Sequence, residues 1–138
     1  MVLTITDAVS VEIQQGSRTA AIWDAVVLDA VDTTSLTLTG GNAKALTVGA
    51  ITGTDKLASV TVTSAASSAI TTGALVDADG LTSLTLTGTG GNITFGALAN
   101  DNAANNAEDL ATITLAATSG STIALGDIFA DSVADAGA

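Results

Sequence analysis

Apolar and polar residues alternate strictly over short stretches of this chain. In Leu81–Leu98, LTSLTLTGTGGNITFGAL, every second residue of the first half is apolar and the polar ones between are mostly threonine. The alternation breaks at Gly88–Asn92, resumes as Ile93-Thr94-Phe95 and stops at Gly96. A period of two predicts strands with one buried face, because successive strand side chains point to opposite sides.

The pattern recurs. Thr34-Ser35-Leu36-Thr37-Leu38-Thr39 matches Ala58-Ser59-Val60-Thr61-Val62-Thr63, Thr82-Ser83-Leu84-Thr85-Leu86-Thr87 and Ala111-Thr112-Ile113-Thr114-Leu115-Ala116. A second element follows each: Leu46–Ile51, Ile70–Leu75, Ile93–Leu98 and Ile123–Ile128. Counted from Leu36, Val60, Leu84 and Ile113, the spacings are 24, 24 and 29, and the longer interval carries the insertion NDNAANNAED at residues 100–109.

A unit this short cannot bury its apolar face alone, so its copies must stack. The predicted fold is all-β: a single right-handed parallel β-solenoid with coils of about 24 residues. Leu36, Val60, Leu84 and Ile113 form one internal ladder and Leu38, Val62, Leu86 and Leu115 a second, with corresponding strands pairing in parallel about 4.8 Å apart. Glycine recurs at Gly49, Gly73, Gly96 and Gly126, marking a sharp turn with positive φ or close backbone approach.

Residues 33–128 hold the four repeats. Before them, Val2-Leu3-Thr4-Ile5-Thr6 reads as a first strand of the Ser-Leu-Thr-Leu-Thr type, although Leu3 lies 33 residues before Leu36. Residues 1–32 then form an irregular N-terminal coil or cap. In it AIWDAVVLDAVD (21–32) is an irregular coil or short helix over the first rung, and Trp23 plugs that end. At the other end DIFADSVADAGA (127–138) has helix-compatible composition; residues 129–138 are a tail or partial cap.

Composition narrows the chemistry. The 138 residues are 47% apolar, but Trp23, Phe95 and Phe129 are the only aromatics, and Pro, Cys and His are absent. Without Cys or His there are no disulfides, no Cys/His zinc sites, no Cys nucleophile and no Ser-His-Asp triad. Few coils and no aromatic platform leave little room for a carbohydrate-cleaving cleft, so a non-enzyme is expected. The net charge of −11, from 14 acidic residues against Arg18, Lys44 and Lys56, disfavours nucleic acid and anionic membranes as partners. Its natural counterpart is a cation, calcium above all.

No apolar stretch reaches membrane-spanning length, the longest run being Ala25–Leu28 between Asp24 and Asp29. The opening MVLTITDAVSVEIQQ has neither the basic nor the apolar region of a secretory signal. Export would then rely on a signal already removed, at the C-terminus, or in a longer parent.

Two arrays are candidate sites. Acidic residues recur just before the first strand of each coil: Asp32, Asp55, Asp79 and Asp109, with Asp77 and Glu108 nearby. Stacked into a column they would repel one another unless a cation intervenes, and the insertion adds Asp101 as an oxygen donor. The competing reading is that they are solvated turn residues. The second array is threonine: Thr37, Thr61, Thr85 and Thr114 beside Thr39, Thr63 and Thr87, all expected on the outer face. Threonine is also simply a good solvent-facing strand residue.

The unit Leu81-Thr82-Ser83-Leu84-Thr85-Leu86, followed by Ile93 and Gly96-Ala97-Leu98, is similar to the short leucine-rich repeats of bacterial surface antigens. Those carry Phe where this chain has Ile51, Leu75, Leu98 and Ile128, and usually a Pro and a Cys. The Thr/Ala/Gly-rich, acidic, cysteine-free composition of residues 33–128 resembles bacterial S-layer proteins and large adhesins exported by type I secretion. The calcium nonapeptide of that class does not occur; Gly40-Gly41-Asn42 and Gly90-Gly91-Asn92 are fragments of it. The resemblance implies an extracellular or cell-surface protein of bacterial type that self-assembles into a filament or lattice, calcium assisting. Two alternatives stand beside it. One is a monomeric adhesin segment for cell-surface glycans. The other is an ice-binding protein, since the threonine ladder resembles the flat hydroxyl-and-methyl faces of ice-binding β-solenoids.

Overall fold

The computed structural model describes residues 1–16, 20–28, 32–41, 43–76, 78, 80–99 and 110–128. Among them are thirteen strands and no helix. The strands form two stacks. A five-stranded sheet runs β2 (Ser10–Gln14), β4 (Ser35–Gly40), β6 (Ser59–Ala65), β9 (Ser83–Thr89) and β12 (Thr112–Thr118). An eight-stranded sheet holds β1 (Val2–Thr4), β3 (Ala21–Val27), β5 (Ala45–Thr52), β7 (Ala69–Thr72), β8 (Leu75–Val76), β10 (Asn92–Phe95), β11 (Leu98–Ala99) and β13 (Ile123–Leu125). All strand pairs are parallel, so the chain alternates between the sheets as a β-solenoid.

The register follows the repeat. Leu36 pairs with Val60, Val60 with Leu84 and Leu84 with Ile113; Leu38, Val62, Leu86 and Leu115 form the neighbouring column. Leu36, Leu38, Val60, Val62, Leu84 and Leu86 are buried in one core with Leu46, Ile70, Ile93 and Phe95 from the facing sheet. Phe95 stands one place past the Thr94–Thr71 pair, beside the short side chain of Thr72. Large and small neighbours in one row let a single aromatic ring enter an otherwise aliphatic core. The Thr72 hydroxyl, buried there, accepts a hydrogen bond from the Gly96 amide at 3.1 Å.

At each recurring glycine the alternation skips a beat. Val48 and Ile51 both point inward although three residues apart, leaving Gly49 and Ala50 to carry the chain round a corner. A Cβ at Gly49 would lie 1.6 Å from the Asp24 carbonyl oxygen, and one at Gly96 2.2 Å from that of Gly73. Of the two reasons for glycine, close approach of stacked backbones is the one that holds. Among the described residues positive φ falls on other glycines: Gly53, Gly90 and Gly120.

The first coil corrects the expectation for the N-terminus. Val2–Thr4 does not join the Ser-Leu-Thr-Leu-Thr row; it pairs with Ala25–Val27 in the eight-stranded sheet. The first strand of that row is Ser10–Gln14, whose Val11 and Ile13 pair with Leu36 and Leu38. Its offset of 25 residues from Ser35 fits the repeat, whereas the 33 residues from Leu3 to Leu36 do not. Ala21–Val27 is neither helix nor irregular cap but a strand in register with β5. Trp23 takes the inward place beside Val48 and lies half-buried against the core at that end. The insertion at 100–109 and the tail at 129–138 lie outside the described residues.

Candidate functional surfaces

Outward positions of the five-stranded sheet line up in three columns. Glu12, Thr37, Thr61, Thr85 and Thr114 form the central one. Gln14, Thr39, Thr63, Thr87 and Ala116 lie on one side; Ser10, Ser35, Ser59, Ser83 and Thr112 lie on the other. Strand spacing puts members of a column about 4.8 Å apart and the columns nearly 7 Å apart. The result is a grid of hydroxyls with threonine methyls between them. It carries no charged group except Glu12 at the N-terminal edge. The serine column went unrecognised in the repeat because only its threonines were counted, although Ser-Leu-Thr-Leu-Thr holds three outward positions.

The opposite face is thinner. Only one well-populated column, Ile22, Thr47, Thr71, Thr94 and Ala124, runs along its outside before the glycine corner interrupts each strand.

Of the proposed carboxylate column, Asp32 and Asp55 fall on described residues, and both are exposed in turns. Counted back from the paired Leu36 and Val60, Lys56 stands at the place of Asp32, with Asp55 one step further out. Among the described residues no three acidic side chains gather as a metal site. Asp77, Asp79, Asp101, Glu108 and Asp109 lie outside the described residues.

The turn that bears these acids is organised from within. Thr33 and Thr54, both buried, donate their hydroxyls to the carbonyls of Ala8 (2.7 Å) and Val76 respectively. Thr34 and Thr82 donate to Val9 (3.2 Å) and Ala58 (2.9 Å). Threonine at the strand entrance therefore stitches adjacent coils together, a role its position in the repeat did not reveal.

The two ends of the stack differ. At the N-terminal end Val11 and Ile13 are 6% and 8% exposed, with Leu3, Ile5 and Ala8 packed against the core. At the C-terminal end the last members of the predicted core ladders keep their register but not their burial. Ile113 is 38% exposed, Leu115 52%, and Ile128, bridged to Leu98, 41%. Among the described residues β12 has a partner on one side only.

No family profile matches this chain, and neither the curated proteins nor the solved structures contain a match to it.

Proposed function

We propose that this chain is a non-enzymatic structural protein that self-assembles, through the ends or edges of its solenoid, into an extracellular filament or S-layer-like lattice. The observation that carries this reading is the C-terminal end, where Ile113, Leu115 and Ile128 expose apolar surface beside the unpaired edge of β12. Edge strands of stable monomers are usually blunted by Lys, Pro, a bulge or a covering segment; Thr112–Thr118 contains neither Lys nor Pro. A second copy of the chain is the partner that such an edge accepts. The net charge of −11 opposes close packing of copies, so calcium, which screens and bridges carboxylates, promotes it.

Electron microscopy of the purified chain with calcium and with chelator tests the reading. Ordered filaments or sheets with calcium are expected. Discrete particles under both conditions overturn it and leave a monomeric adhesin segment. The in-register grid of Ser and Thr supports a second reading, binding to a periodic surface such as ice. Its signature is thermal hysteresis that disappears in Thr61→Leu and Thr85→Leu.

A further inference from the structure

We infer that two copies meet tail to tail: the open C-terminal ends face each other across a two-fold axis, with β12 pairing antiparallel to the β12 of a second copy. This rests on the reading of the chain as self-assembling and specifies which contact begins the assembly.

The alternative is head-to-tail stacking, in which β2 of one copy continues the five-stranded sheet beyond β12 of another. The register forbids it. Leu3 pairs with Val26, Val26 with Ile51, Ile51 with Leu75, Leu75 with Leu98, and Leu98 bridges Ile128, so all six share one column. Strand β1 lies one coil before β2. Placing β2 directly on β12 would therefore put Val2–Thr4 of one copy where the other holds Asp127 and Ile128. Two chains cannot fill one place. The N-terminal end also has little to gain from a partner, because Val11 and Ile13 are already covered.

The open end, in contrast, is complementary to itself. Thr112–Thr118 bears no charge, so two copies of it can approach despite the acidity of the whole chain. An antiparallel pair centred on Thr114 sets Ile113 across from the partner's Leu115 and Leu115 across from the partner's Ile113. Inward residues then face inward residues, as the two-residue period of a strand demands. Centring on Leu115 instead would spend Ile113 on Ala117. A two-fold contact uses the same patch twice and closes on itself. Lattice growth beyond the dimer must therefore use the long faces and edges of the solenoid.

The chain has no cysteine, so single replacements report the geometry directly. Directly opposed residues of an antiparallel pair lie about 5 Å apart at Cα, within reach of a disulfide. Under mild oxidation Thr114→Cys is expected to form a disulfide-linked dimer, Glu12→Cys none, and their mixture no heterodimer. By sedimentation, Leu115→Lys raises the dimer dissociation constant about 100-fold or more, because each substitution counts twice. Its circular dichroism stays that of the parent, since Leu115 is already half exposed. A Glu12→Cys/Thr114→Cys heterodimer would show head-to-tail stacking and overturn the inference while self-assembly stands. So would a dimer that Thr114→Cys fails to lock. A monomer at every concentration, with calcium or without, overturns both.

Discussion

The two sheets of this solenoid are made by the same chain in the same coils, yet they are built by different rules. In the five-stranded sheet β6, β9 and β12 run seven residues without interruption, inward and outward positions alternate throughout, and successive coils superpose residue for residue. In the eight-stranded sheet each coil breaks its alternation at a glycine, and β7 and β10 end there before the two-residue strands β8 and β11 resume. The unbroken sheet presents a regular outer grid. The broken one turns the chain and brings backbones of adjacent coils into contact. Stability should therefore depend on side-chain volume in the first and on the absence of side chains at the corner of the second.

The largest effect is expected in the unbroken sheet. Leu84 stacks between Val60 and Ile113 and is fully buried. Leu84→Ala removes that volume from the middle of a column, and the neighbouring coils, held by ladders on both sides, cannot collapse to fill it. A cost of about 2–5 kcal/mol is expected in chemical denaturation. A cost below about 1 kcal/mol would mean that the coils slide to close the gap and that the register is softer than its ladders imply.

Next comes the corner of the broken sheet. Gly96→Ala adds one methyl that must push against the Gly73 carbonyl, which is backbone and has no rotamer in which to escape. About 1–3 kcal/mol of overpacking strain follows, and the thermal midpoint should fall. Gly41→Ala is the control, since nothing lies within 4 Å of the added atom; it should be close to neutral. Equal effects at the two glycines would remove close approach as the reason for the glycine column.

The unbroken sheet was legible in the sequence because its signal is redundant. Ser-Leu-Thr-Leu-Thr states the period, the inward face and the register together, and its copies recur at a fixed spacing. The first coil was not legible because it lacks the corner marker. Asp24 holds the place of Gly49, at the head of a column in which only later coils must press against a predecessor. Without the glycine, the step from Trp23 to Val26 looks like loss of strand periodicity, and AIWDAVVLD resembles a helix or a coil. Val2–Thr6 was misplaced for a related reason: alternation alone fits either sheet, and only spacing distinguishes them. Of the candidate sites, the threonine columns followed directly from the alternation. The acidic residues did not, because proximity to a strand is not register: Asp32 lies four residues before Leu36, Asp55 five before Val60. The exposure of Ile113 and Leu115 belongs to the end of a stack, which a repeating pattern cannot mark.

A smaller effect tests how the strand entrances are held. Thr33→Ala removes the hydroxyl that satisfies the Ala8 carbonyl across the coil boundary. Leaving that group unpaired near the core costs about 1–3 kcal/mol. Hydrogen exchange should then quicken locally at Ser10–Gln14, the strand that follows Ala8, while β6 and β9 keep their protection.

The smallest effect is expected on the outer grid, and it separates folding from function most cleanly. Thr61 lies in the middle of the central hydroxyl column, flanked by Thr37 and Thr85. Thr61→Val keeps the β-branched shape and strand preference and removes one outward hydroxyl, so stability should change by no more than about 0.5 kcal/mol. A larger loss would mean that the hydroxyls hold the coils together, making the grid a structural ladder like the one at the strand entrances. With stability unchanged, any change in assembly or surface binding belongs to the face itself. If the grid is only the outside of the stack, Thr61→Val assembles as the parent does while Leu115→Lys does not. If it is a docking surface, the order reverses, and the regular face, not the open end, is where this protein meets its partner.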